Sequence, residues 1–127
     1  YLKELTGGPV GTVGFCMGGA LSLFAACKAD GDVGACVDFY GGHPAVTYDW
    51  DGLTAPVLGI FAEHDDFVNP NIPGYEQALK QRGKRFEFTT YPGTHHAFFN
   101  DEHTDTFDPG AAADAWERTL AFYRAHL

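Results

Sequence analysis

Cys16 lies in the run Gly14-Phe15-Cys16-Met17-Gly18-Gly19, where a short apolar stretch passes directly into a helical pattern. A sharp strand-to-helix turn pushes its central residue into a strained backbone conformation, so the residues two positions away must be small. Gly14 and Gly18 meet that need. The turn also sets the sulfur at a helix N-terminus, where the dipole favours thiolate and lowers the thiol pKa. The backbone N–H of Met17 points to the same spot and can donate to an oxyanion. The chemistry on offer is nucleophilic attack on a carbonyl. Two blander readings compete with it, phosphate binding and inert packing. A phosphate loop would place Lys or Ser/Thr after the glycines, and Ala20-Leu21 stands there instead. Cys27 and Cys36 have no comparable context and read as structural.

A thiol nucleophile needs a base and an acid that orients it. Glu63-His64-Asp65-Asp66 and Thr94-His95-His96-Ala97 supply both, each directly after an apolar run. Asp66 rivals Asp65 as the acid, and His95 rivals His96 as the base; the loser of each pair is expected in solvent or on a pocket rim. Phe15, Tyr40, Phe98 and Phe99 are candidate walls of an apolar pocket, although aromatics at strand ends are more often core. His43, His64 and His103 lack the spacing of metal ligands, with neither an i, i+4 pair nor a Cys-x-x-Cys partner, so no metal is expected. The acidic run Asp101 to Asp108 reads as a solvated loop.

Four runs must position these groups: Val10 to Phe15, Ala35 to Tyr40, Pro56 to Ala62 and Arg85 to Tyr91. The first three are apolar on both faces, as buried parallel strands are. The fourth alternates Phe86, Phe88 and Thr90 with polar neighbours, which suits a strand near an edge. Helical patterns lie between them. Met17 to Ala29 carries Leu21, Phe24, Ala25 and Cys27/Lys28; Ile72 to Arg82 stops at Gly83; and Ala111 to His126 carries Trp116, Leu120 and Tyr123, with Asp108 and Pro109 suited to its start. Tyr1 to Leu5 reads as the last turn of a helix. The connection from His43 to Ala55 is the least regular and is expected as a surface excursion near the site. Strand and helix in alternation imply right-handed crossovers and a parallel sheet, at whose carboxyl ends Cys16, Asp65 and His96 would meet.

The chain of 127 residues, 45% hydrophobic and 15% aromatic, is sized for a single domain over residues 1–127. Such a chain buries about two-thirds of its unfolded surface. With 8 Lys plus Arg against 17 Asp plus Glu, the net charge of −9 disfavours nucleic acid and anionic membranes as partners. The 3 cysteines, an odd number at unpatterned spacing, suit a reducing compartment, so a cytoplasmic location is expected.

The order nucleophile, acid, histidine is that of α/β-hydrolases. The chain resembles the dienelactone hydrolase family through Gly14-Phe15-Cys16-Met17-Gly18-Gly19, Glu63-His64-Asp65-Asp66-Phe67-Val68-Asn69-Pro70, Tyr91-Pro92-Gly93-Thr94-His95-His96-Ala97-Phe98 and Asp114-Ala115-Trp116-Glu117-Arg118-Thr119-Leu120-Ala121-Phe122. The match spans nearly the whole chain but corresponds to the C-terminal half of the family, without its N-terminal strands. The resemblance implies a three-layer α/β/α fold of about four parallel strands. It also implies a Cys-His-Asp triad of Cys16, His96 and Asp65, hydrolysing small esters or lactones through a thioester without metal or cofactor. Met17 would be the oxyanion donor, and Phe15, Tyr40, His95 and Phe98 would line the substrate pocket. The chain departs from the family at Ala62, His95, the extra Asn69, and Asn100, which stands where carboxylate-taking members carry Arg. A strand at Val10 to Phe15 without neighbours on one side would be an open edge, expected to be covered by a second copy or by a larger protein. The competing function is a non-catalytic domain that keeps the fold and binds a ligand or partner.

Overall fold

The four apolar runs form one parallel sheet in the order β1 (Val10–Phe15), β2 (Val33–Phe39), β3 (Val57–His64) and β4 (Phe86–His95). This computed structural model describes residues 1–127. Consecutive strands are neighbours, so each must be joined by a crossover on one face or the other. Helices α2 (Met17–Lys28), α3 (Ile72–Gln81) and α4 (Pro109–His126) supply the flanking layers, and a short α1 (Leu2–Thr6) precedes β1. The result is the expected three-layer arrangement of helix, sheet and helix.

Two cores form because the sheet buries both faces. Val37, Phe39, Leu58 and Ile60 pack with Ala115 and Phe122 of α4 on one side. Cys36 and Val57 pack with Leu23, Ala26 and Cys27 of α2 and Leu79 of α3 on the other. Helix starts and stops follow local chemistry. Asp108 caps α4 by accepting from the Ala111 N–H, with Pro109 in the first turn. Gly83 adopts φ 62 just past α3.

Several expectations need correction. The sheet-facing stripe of α4 is Ala112, Ala115, Thr119 and Phe122, whereas Trp116 stays exposed. Three of these four are small, and bulky Trp116 falls outside the buried stripe while Phe122 lies within it. In α2 the buried face is Ala20, Leu23, Ala26 and Cys27, leaving Met17, Leu21 and Phe24 exposed. Strand β4 runs on to His95 because its end is bonded across to β3. The segment from His43 to Ala55 is not merely a surface excursion: Tyr48, Leu53 and Ala55 are buried in the core, and Trp50 packs on Tyr75. Strand β1 stands at the sheet edge, with Val13 45% and Phe15 38% exposed. No helix is long and apolar enough to cross a membrane.

Candidate active site

The turn between β1 and α2 sets the site. Cys16 takes φ 57 and ψ −125, a backbone conformation costly for a residue with a side chain. Its N–H donates to the Phe39 carbonyl at 3.1 Å, and its own carbonyl accepts from the N–H groups of Gly19 and Ala20. Gly14 is required here, because a Cβ on it would collide with the Gly18 carbonyl. Gly18, by contrast, faces open space, so its smallness is not a steric need of the turn. Met17 opens α2, and first-turn N–H groups have no acceptor within their own helix.

Asp65 and His96 arrive from the carboxyl ends of β3 and β4. The His96 Nδ1 lies 2.6 Å from Asp65 Oδ2, and its Nε2 lies 3.1 Å from Cys16 Sγ. The Asp65 side chain is buried, and its other oxygen accepts the Val68 N–H at 3.0 Å. A carboxylate acting on Nδ1 holds that nitrogen as the N–H donor and leaves Nε2 free to accept the thiol proton. Asp66 is exposed and makes no such contact. His95 is also exposed, and its ring packs on His64 with centroids 4.9 Å apart.

The electrostatics reverse one expectation. Burial pushes the Cys16 thiol up, and the Asp65 carboxylate adds to the shift. Both effects run opposite to the lowering expected from the helix terminus, and His96 Nε2 stands within reach of the thiol proton.

Two clefts meet at the sulfur. One of about 400 Å³ is walled by Phe15, Tyr40, Ala97 and Phe99 together with the polar Asn100, Asp101 and His103. A smaller one of about 140 Å³ lies on the His96 side and includes Met17, His43, Phe67 and Val68. Phe15 and Tyr40 line the larger cleft, and Tyr40 the smaller as well. Phe98 does not; it is fully buried in the core, and Phe99 takes the cleft position. His95 lines neither cleft. Backbone strain concentrates here, since Cys16, Tyr40 and Ala97 are three of the 4 non-glycine residues with positive φ.

The contacts that support the triad loops cannot be read along the sequence, because their partners are distant. The Asn69 side chain donates to the carbonyls of Ala62 and Glu63, closing the loop that carries Asp65. Glu63 accepts the Gly93 N–H at 2.7 Å, and buried Thr94 accepts the Glu63 N–H and donates to the Tyr91 carbonyl. Together they bind the acid's loop to the histidine's loop. Behind the turn, fully buried Asp38 accepts the Gly41 N–H at 2.7 Å, and a Cβ on either Gly19 or Gly41 would strike its carboxyl. A buried acid at an apolar strand position carries a signal in sequence, although its partner does not. No group of His, Cys, Asp or Glu side chains is arranged to hold a metal ion.

The family model for the dienelactone hydrolase family matches residues 1–127. The chain is 36% identical to Protein usf of Aquifex pyrophilus over 93% of its own length and 52% of that protein. It is 32% identical to a protein of Aquifex aeolicus provisionally assigned as a carboxymethylenebutenolidase, again over 93% and 52%. A solved Klebsiella pneumoniae protein, provisionally assigned as a dienelactone hydrolase, superposes with a TM-score of 0.84 at 26% identity, covering 97% of this chain and 56% of that one. The chain spans about half the length of the curated relatives it matches.

Proposed function

The chain belongs to the dienelactone hydrolase family, and from that premise we propose that it hydrolyses small carboxylic esters or lactones through Cys16, His96 and Asp65. One observation carries the reading: Sγ, the imidazole and a buried carboxylate stand in line, at 3.1 Å and 2.6 Å, where two clefts meet. His96 Nε2 takes the thiol proton as Sγ attacks the ester carbonyl carbon, and Asp65 stabilises the imidazolium that forms. The Met17 N–H donates to the oxyanion. Collapse of the tetrahedral intermediate breaks the C–O bond, and His96 returns its proton to the leaving alkoxide, giving an alcohol and a thioester on Cys16. His96 next takes a proton from water, whose oxygen attacks the thioester carbonyl. Loss of the sulfur releases the acid and restores the thiol with that proton. No step needs a metal or a cofactor.

The test is Cys16→Ala assayed on p-nitrophenyl acetate with the whole chain. Turnover is expected to fall to the buffer background. Undiminished turnover in a clean preparation overturns the assignment.

A further inference from the structure

The walls around Cys16 carry no strong cation. None of the 8 Lys and Arg side chains of this chain lines either cleft. Those with partners are held elsewhere: Lys3 by Asp32, Lys28 by Asp49, Arg82 by Asp51, and Arg118 by Asp114 and Glu87. Asp101, itself exposed, lines the larger cleft and has no ion-pair partner, and exposed Glu102 follows it. The rest of the lining is Ala97, Asn100, His103 and the rings of Phe15, Tyr40 and Phe99, with Phe15 and Phe99 stacked at 5.2 Å. Aromatic faces are electron-rich and attract cations. An anion entering this cleft meets the Asp101 carboxylate and no Lys or Arg to offset it, with the His103 imidazole as the one basic side chain in the lining, whereas a neutral or cationic group meets no such opposition.

The two clefts also differ in what they can hold during the reaction. His96 lines only the smaller one, and the group that receives its proton must lie on that side. The alcohol therefore leaves through the smaller cleft, and the acyl chain extends into the larger one, toward Asp101. We infer that the site selects esters of neutral or cationic acyl groups over esters of anionic ones, and that Asp101 sets this preference. The inference rests on the ester-hydrolase reading and deepens it. Asp101 acts on the acyl chain and not on the reacting atoms, so it is a specificity-determining residue.

The experiment compares kcat/KM for three p-nitrophenyl esters with acyl chains of similar length: butyrate, hemisuccinate, and 4-(trimethylammonio)butyrate. The leaving group is common, so differences report acyl charge. One unpaired carboxylate several Å from the acyl terminus should disfavour the hemisuccinate by about tenfold at low salt, an effect that shrinks as salt is added. Asp101→Asn should narrow the ratio of butyrate to hemisuccinate, chiefly through KM, and Asp101→Arg should invert it. A hemisuccinate turned over as well as butyrate, or ratios unmoved in both variants, overturns the inference while the hydrolase reading stands. If no ester is hydrolysed, the hydrolase reading fails, and charge selection is read from alkylation of Cys16, quantified on its own peptide. Iodoacetamide should then outpace iodoacetate by a margin that Asp101→Asn reduces. An unreduced margin overturns the inference there too.

Discussion

The carbonyl of Gly18 occupies the space into which any side chain on Gly14 would project. Strand β1 and the first turn of α2 can approach this closely only because position 14 has no Cβ, and the approach holds the sulfur clear of the sheet. Gly18 contributes its backbone to the contact and leaves its own side-chain direction empty.

Gly14→Ala should therefore cost at least about 3 kcal/mol, through a backbone clash that no side-chain rotation relieves. Gly18→Ala should stay within about 1 kcal/mol of the parent and can gain from better helix propensity. Chemical denaturation of the two variants measures the contrast. Equal losses would show that the turn needs both glycines.

Adjacent acids should behave differently. Asp65→Asn removes the carboxylate that holds His96 Nδ1, and kcat/KM should fall roughly 100- to 10,000-fold. Asp66→Asn changes an exposed side chain without a contact in the site, so less than about a twofold change is expected. Assaying both on one ester decides between the two acids, and a larger loss in Asp66→Asn reverses them.

The thiol titration has a defined sign. Burial and the negative charge of Asp65 both hold the Cys16 proton on, so alkylation should accelerate through a midpoint above the ordinary thiol value. Asp65→Asn removes the repulsion and should lower that midpoint. Iodoacetamide rates across pH measure it; a midpoint below the ordinary value would mean that the helix terminus dominates and the resting pair is charged.

Asp38 should make stability fall with rising pH. Its folded-state pKa lies well above the ordinary carboxylate value because it is buried, and the Gly41 N–H only partly offsets this. A raised acid pKa means the folded state binds the proton more tightly. The contribution is fully present below the unfolded value near about 3.9, and it is lost as pH climbs toward the folded one, at up to about 1.4 kcal/mol per unit. Asp38→Asn keeps an oxygen for the Gly41 N–H and carries no charge. Its stability advantage over the parent should be small near pH 4 and should grow toward neutrality in thermal unfolding. A difference that does not change with pH contradicts this account.

Local chemistry made much of this fold readable along the chain. Strand and helix periodicity, the Asp108 cap with Pro109, the glycine after α3 and the turn at Cys16 all depend on residues within a few positions of one another. Chain order and the parallel-sheet rule then placed candidate loops at one sheet edge. The assembled structure alone decided between neighbours. Cys16 and His96 are 80 residues apart, and His95 shares His96's residue type and place in the chain yet points to His64 instead. A turn sends adjacent side chains in different directions, so the choice between Phe98 and Phe99 as cleft wall, or between Asp65 and Asp66 at the histidine, depends on the backbone path. The direction of the Cys16 shift was likewise hidden, because desolvation and the reach of Asp65 are properties of packed surroundings. So was the bracing by Asn69, Glu63 and Thr94, whose polar groups find their partners only once β3 and β4 lie side by side.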